Sequence, residues 1–410
     1  MGLRGVCSFV VWLAVGLAVF PLVLPAGDWP QFRGPDGQGI ADSTQPPLSW
    51  SETRNVTWKK ELSGLGWSSP VIGEGKLWLT VAGDEGRSLR ALALDPLSGE
   101  TLHDVELFHF DDPPKINNKN SYASPTPWIE DGRVYVHFGT QGTAALTTGG
   151  EVLWKTQELR YYHRHGSSGS PVLSGDSLLI NCDGYDVQYV VALHKDTGEI
   201  RWKSYRGDYE HSYATSLVIS TERGKQLVSP GAGRTVAYDI NTGEELWWIK
   251  YKGFSNVPKP VLAHGLVYVT SGFFKPSLFA VRPDGRGDVT KSHVEWEYKK
   301  GVSLTPSPIV VDNELYMVSD NGILTCLDAL TGKEIWRQRV EGGYSASPVL
   351  AGGRIYFMNE EGLTTVIQPG REYEKLTESK VDGRTLASIA VLDDVVFLRT
   401  DSHLYRIEEQ

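Results

Sequence analysis

The segment Ser307-Pro308-Ile309-Val310-Val311-Asp312-Asn313-Glu314-Leu315-Tyr316, carried on by Leu324-Thr325-Cys326-Leu327-Asp328-Ala329-Leu330-Thr331-Gly332-Lys333-Glu334-Ile335-Trp336, holds a complete unit of the fold. Its apolar residues alternate in short runs, the period of a strand with one face buried. An Asp-Asn turn separates the first run from the second. The third run ends on Asp328-Ala329-Leu330-Thr331-Gly332, where an Asp accepts forward backbone N–H groups and a Gly tolerates positive φ. A fourth run follows, with Trp336 four residues after the Gly.

The unit recurs along the chain. Its opening returns as Ser69-Pro70-Val71, Thr126-Pro127-Trp128, Ser170-Pro171-Val172, Lys259-Pro260-Val261 and Ser347-Pro348-Val349, with degenerate copies at Ser216-Leu217-Val218 and Ser388-Ile389-Ala390. The aligned positions 70, 127, 171, 217, 260, 308, 348 and 389 span 319 residues in seven steps, a mean period of about 46. That is the length of one four-stranded propeller blade, and eight openings predict eight blades. The tight turn returns at Asp95-Pro96-Leu97-Ser98-Gly99 and Asp239-Ile240-Asn241-Thr242-Gly243. Trp154, Trp202, Trp247 and Trp336 hold one place in the fourth strand, and Trp58 and Trp296 the matching place after less regular turns. A large ring at a fixed outer position fills the gap between neighbouring blades. The chain begins and ends out of phase. Residues 54–62 read as a fourth strand with no blade before it, and the last repeat stops at its third strand, His403–Ile407. Pairing the two closes the ring and removes open sheet edges. The fold class is therefore all-β, an eight-bladed propeller of four-stranded antiparallel blades closed by an N-terminal strand.

Ahead of the propeller, a mostly apolar run from Val6 to Phe20 follows Arg4, and Pro21 to Ala26 supply a cleavage region. These features read as an export signal over residues 1–26, cut after Ala26, with an uncleaved anchor as the alternative. Residues 27–53 form an N-terminal arm, and residues 54–410 the propeller. The mature chain is expected in the periplasm or secreted, with no membrane span once the signal is removed. Forty-four Gly and thirteen Trp suit a turn-rich β protein, and a net charge of −10 disfavours nucleic acid as a partner. Cys182 and Cys326 fall in different repeats and are expected unpaired, and no CxxC spacing marks a zinc, thioredoxin-like or haem site.

The segment Leu324–Trp336 resembles the repeat of the pyrroloquinoline-quinone-type (PQQ-like) propeller family, Leu-x-Ala-Leu-Asp-x-x-Thr-Gly-Lys-Glu-x-x-Trp, and the likeness extends over residues 54–410. Asp28-Trp29-Pro30-Gln31-Phe32-Arg33-Gly34-Pro35 is similar to a motif that opens many exported members. The family contains quinone- and calcium-dependent alcohol and glucose dehydrogenases. It also contains the quinone-free propeller lipoprotein of the outer-membrane β-barrel assembly machinery (BamB), to which the chain is closest in character. The resemblance implies the fold, and it leaves the cofactor open. Many of the dehydrogenases carry a vicinal Cys-Cys pair, which this sequence lacks, and no Glu, Asn and Asp set matches their calcium ligands.

Other candidate chemistry is thin. His163-Arg164-His165 offers two imidazoles on one strand face but no evident carboxylate beside them. Asp183 reads as a turn-former, and Ser167-Ser168-Gly169-Ser170 as a small-residue approach to the axis. Gly231-Ala232-Gly233-Arg234 lacks the helix that a dinucleotide site needs. The loops before the first strands are richer. They carry Trp67, Tyr122, His163, His165, His211, Tyr213, Asn256, Lys259, Tyr344 and Arg384. Gathered around the channel, these form a funnel for a peptide, glycan or small ligand. The expected function is an exported, non-catalytic binding scaffold with a protein or peptide partner in the cell envelope and no cofactor. The alternatives are a PQQ-dependent dehydrogenase holding the quinone with calcium, and a carbohydrate- or small-ligand-binding propeller.

Overall fold

A computed structural model describes residue 2 and residues 28–41, 45–207 and 209–410. The expected export signal and its cleavage point lie outside the described residues. Eight sheets follow one another along the chain. Blade one is Val71–Gly73, Lys76–Gly83, Ser88–Leu94 and Thr101–His109, each strand antiparallel to the next. Blades two to seven repeat that order, and blade eight runs Ala390–Leu392, Val395–Arg399 and His403–Ile407. Its fourth strand is Val56–Glu61, which pairs Lys59 with Tyr405 and Glu61 with His403, so the ring closes as the sequence predicts. No helix is long and apolar enough to cross a membrane among the described residues.

The repeated Trp and the repeated Gly explain each other. Trp58 Nε1 donates to Leu97 O at 3.0 Å, Trp154 to Lys195 O at 2.8 Å, Trp202 to Ile240 O at 3.1 Å and Trp296 to Ala329 O at 3.0 Å. Each acceptor lies in the Asp-x-x-Thr-Gly type of turn of the following blade. The turn Gly lies flat against the ring, and a Cβ there would sit 2.5–2.9 Å from the ring of Trp58, Trp154, Trp202 or Trp296. Trp247 departs from this pattern. It is fully buried and donates to Gln226 Oε1, because Gly287–Asp288 adds a fifth strand to the outer edge of blade four. Cys182 and Cys326 are buried free thiols.

Nearer the axis, the opening Ser or Thr of seven repeats ties one blade to the next; in blade four it is Thr215, one residue before the Ser216 that the sequence aligned, because the first strand starts at Leu217 as it does at Val172 in blade three. Ser69 N–H donates to Thr126 Oγ1, Thr126 to Ser170, Ser170 to Thr215, Ser307 to Ser347, Ser347 to Ser388 and Ser388 back to Ser69, all within 2.9–3.1 Å. Lys259 N–H donates to Ser307 in the same way. A Lys has no hydroxyl to offer blade four, so the hydroxyl ring is open at the junction of blades four and five.

The segment from Asp28 to Ala41 fills the channel on one side of this ring. Trp29 and Ile72 exchange backbone bonds, Pro30 O accepts from Ile129, Gly39 O from Leu350, and Gln38 Oε1 from Leu262. Arg33 lies at its centre, 1% exposed, donating to Gln38 O and Pro308 O. The arm thus uses the free inner edges of four first strands.

Candidate functional site

On the other side of the hydroxyl ring the axis opens into a well of about 260 Å³. The residue two positions before each ring member lines it: Trp67, Ser124, Ser168, Tyr213, Val257, Thr305, Ser345 and Leu386. Successive side chains of extended backbone point opposite ways, so this layer repeats the orientation of the ring below. The loop between blades one and two adds Asn117, Lys119 and Asn120, and His165 and Ser255 complete the wall.

That parity sorts the ten residues named from sequence. Trp67, Tyr213 and His165 line the well. Arg384 stands at the mouth with its guanidinium 5.8 Å from the Trp67 ring centre, a cation–π arrangement. Tyr344 and Asn256, three positions before a ring member, turn the other way and are wholly buried. Asn256 Nδ2 donates to Thr270 O of blade five and to Tyr251 Oη, which follows the outer strand of blade four, so it braces the junction of the two blades. Lys259 is a ring member, and its ammonium lies under the ring against Gly37 of the arm. Burial, then the neighbouring Arg33, lowers its pKa to about 7. Tyr122 packs over Gly86, outside the well. His163 is buried beside Tyr161 and accepts from Thr140 N–H through Nε2, whereas His165 faces Tyr185, His211 and Tyr213. The two imidazoles therefore serve different surroundings. His211 is buried face to face with Tyr185, the ring centres 4.0 Å apart, and burial followed by His165 lowers its pKa to about 4.

Asp183, read from sequence as a turn-former, is instead a buried partner of Arg206 at 3.2 Å. Burial raises its carboxyl to about 6 against the pull of Arg206 and Arg234. A turn residue would be solvated. Asp183 ends the strand Ser177–Asp183, where Arg206 covers its carboxylate and the Ser212 N–H of the segment leading to blade four donates to its carbonyl.

The carboxylates bonded to the well's lining residues are Asp320 and Glu360. Asp320 accepts from the N–H groups of Leu304 and Thr305 and from the Thr305 hydroxyl. Glu360 accepts from the Ser345 hydroxyl and pairs with Lys119 at 2.6 Å, with Arg384 4.0 Å away. Burial alone pushes the Glu360 carboxyl up, and Lys119 and Ser345 hold it below its usual value. Ser124 and Ser168 donate within the wall, to Asn120 Oδ1 and Tyr213 O. Trp67 Nε1–H and the Tyr213 hydroxyl have no hydrogen-bond partner among the described residues, so the wall keeps unpaired donors on its aromatic side chains.

Beside the well the same face carries aromatic residues that sequence reading missed. His211 packs edge-on to Phe254 at 5.3 Å, and Phe254 meets Phe273 and Phe274 at 5.7 and 5.6 Å. Phe273 and Phe274 are 47% and 74% exposed, and Tyr162 is 56% exposed over Tyr185. Phe274 holds φ 90°, a region where bulky residues are rare. Two consecutive aromatics inside the turn Ser271-Gly272-Phe273-Phe274-Lys275-Pro276, where polar residues are usual, were the available signal.

The model of the family described as outer membrane protein assembly factor BamB matches residues 58–287 and 277–407. The outer membrane protein assembly factor BamB of Shewanella oneidensis is 22% identical over 295 residues, 67% of this chain and 71% of that one. Among solved structures, BamB from Moraxella catarrhalis superposes with a TM-score of 0.61 at 12% identity, covering 86% of this chain and 99% of that one. Quinohemoprotein alcohol dehydrogenase from Comamonas testosteroni gives 0.67 at 11% identity, covering 92% and 80%. At these identities the structural likeness is one of fold.

Proposed function

The chain belongs to the family of the outer membrane protein assembly factor BamB, and from that premise we propose that it is an exported, non-catalytic scaffold binding a protein partner in the cell envelope. The observation that carries this reading is the aromatic cluster beside the well, whose exposed rings Tyr162, Phe273 and Phe274 are joined through the half-buried Tyr185 and Phe254 and the buried His211. Monomeric folds rarely leave such rings in contact with water without a partner for them. Aromatic and Arg side chains supply most of the binding energy at many interfaces, which also gives Arg384 a role at the mouth.

The donor set around the well does not fit a calcium-held quinone. Asp320 and Glu360 already have protein donors or a cation, and the sequence has no vicinal Cys pair. The proposal therefore includes no cofactor. A second reading, a neutral polyhydroxyl ligand such as a sugar held in the well, is favoured by Trp67 Nε1–H and the Tyr213 hydroxyl, which have no hydrogen-bond partner among the described residues.

Affinity capture from the native envelope tests the main reading. A partner retained by the parent and by Leu97→Ala and Leu330→Ala, on the opposite turns, is expected to be lost or weakened in Phe273→Ala/Phe274→Ala and Arg384→Ala. Each hot spot should account for about 1 kcal/mol or more. Loss confined to the opposite-turn variants, or quinone- and calcium-dependent dye reduction by the homogeneous protein, would overturn it.

A further inference from the structure

Charge is unevenly spread on this acidic chain. At the rim of the same face, between blades four and five, a groove of about 620 Å³ is edged by Lys250, Lys252, Lys275 and Lys299. Tyr251 and Phe279, stacked with ring centres 5.8 Å apart, form its floor. Lys250 is neutralised by Asp288 at 2.9 Å and Lys299 by Glu297 at 2.9 Å. Lys252 and Lys275 are exposed and make no ion pair among the described residues. Lys275 directly follows Phe274, so the exposed aromatic ridge leads into the groove. This is also the junction where the hydroxyl ring is open and where Gly287–Asp288 caps the blade-four edge, so the seam differs from the other seven on both its inner and its outer side.

An ammonium pair facing water on a chain of net charge −10 attracts carboxylates while the rest of the surface repels them. Beside it, Phe273 and Phe274 offer apolar area to a neighbouring side chain. Resting on the scaffold reading above, we propose that this seam is the specificity element of the scaffold: it takes an extended acidic segment of the protein partner. An apolar residue of that segment lies on Phe273 and Phe274, and its carboxylates lie against Lys252 and Lys275. The aromatic ridge holds the partner, and the lysines select among partners.

Fluorescence anisotropy with a short labelled glutamate-rich peptide bearing one central leucine tests this. A lysine-rich counterpart and vesicles of phosphatidylglycerol with phosphatidylethanolamine serve as competing probes. The acidic peptide is expected to bind, more weakly as salt is raised. Lys252→Glu/Lys275→Glu should weaken it about tenfold or more, Phe274→Ala several-fold, and Leu330→Ala not at all. All these positions are exposed, and unchanged melting temperatures will confirm intact folds. No binding of the acidic peptide, equal binding of the lysine-rich one, or indifference to the charge reversal would overturn the proposal. Salt-sensitive vesicle binding that needs Lys252 and Lys275, without peptide binding, would reassign the seam to lipid headgroups. If the captured partner is lost in Phe274→Ala but kept in Lys252→Glu/Lys275→Glu, this inference falls while the scaffold reading stands.

Discussion

Gly243 and Gly132 share φ of +75°, yet only Gly243 lies against a tryptophan, and this pair isolates what the Trp–Gly lock is worth. A Cβ at Gly132 would meet nothing within 4 Å. Gly132→Ala should therefore show the left-handed backbone penalty alone, about 1–2 kcal/mol. A Cβ at Gly243 would stand 2.5 Å from Trp202 Cε3 and 2.6 Å from Ser204 Oγ. The ring is pinned by its bond to Ile240 O, so it cannot move aside without breaking that bond. Overpacking of this kind adds roughly 1–3 kcal/mol. Equilibrium urea unfolding of both variants reads the difference directly. Trp202→Ala removes a buried aromatic and should cost about 3–5 kcal/mol. In the Trp202→Ala/Gly243→Ala double variant the clash with the ring has gone while that with Ser204 Oγ stays, so the two effects should fall short of additivity by about 1 kcal/mol or more. Equal losses in Gly243→Ala and Gly132→Ala, or strict additivity in the double variant, would refute the lock.

Three further outcomes follow from buried polar groups. Ser347→Ala leaves Ser307 N–H without its acceptor between two blades and should lower stability by about 1–3 kcal/mol in the same urea assay. Arg206→Ala leaves Asp183 buried without its cation and should cost about 3–5 kcal/mol, whereas a loss below about 1 kcal/mol would show the pair to be dispensable. Lys259 titrates near 7 when folded and near 10.5 when free, so between those values the unfolded chain holds the extra proton and stability rises with pH. Lys259→Met should stabilise the fold most at or below pH 7, with the gain shrinking toward pH 10. A gain that is flat across that range would show the Lys259 ammonium to be accommodated without strain.

The blades were legible because their information is local. The alternation in Ile309–Tyr316, the Asp328–Gly332 turn and the offset of Trp336 all lie within one repeat. Ring closure was legible because a strand without a blade and a blade without a strand complete each other. The arm was another matter: Trp29, Arg33 and Gln38 find partners at Ile72, Pro308 and Leu262, separations that no local pattern encodes. The funnel was half legible. Sequence named the loops that reach the axis, but side-chain direction depends on register against the hydroxyl ring. Trp67 and Tyr213 therefore face the well, while Tyr344 and Asn256 turn inward. Lys259 resembled a rim cation because its neighbour Pro260 matched the motif; its burial comes from the arm lying on top of it. Phe273 and Phe274 were passed over because they sit in a turn inside a blade, away from the loops that precede first strands.

The claim that the aromatic face meets a protein partner is tested most directly by photo-cross-linking in the native envelope. Benzoylphenylalanine is placed at Phe274 or, on the opposite turns, at Leu97 or Leu330, all exposed positions. The account predicts a discrete cross-linked protein species from position 274 that is absent from positions 97 and 330. Cross-links from 97 or 330 with none from 274 would put the partner on the other face and contradict it.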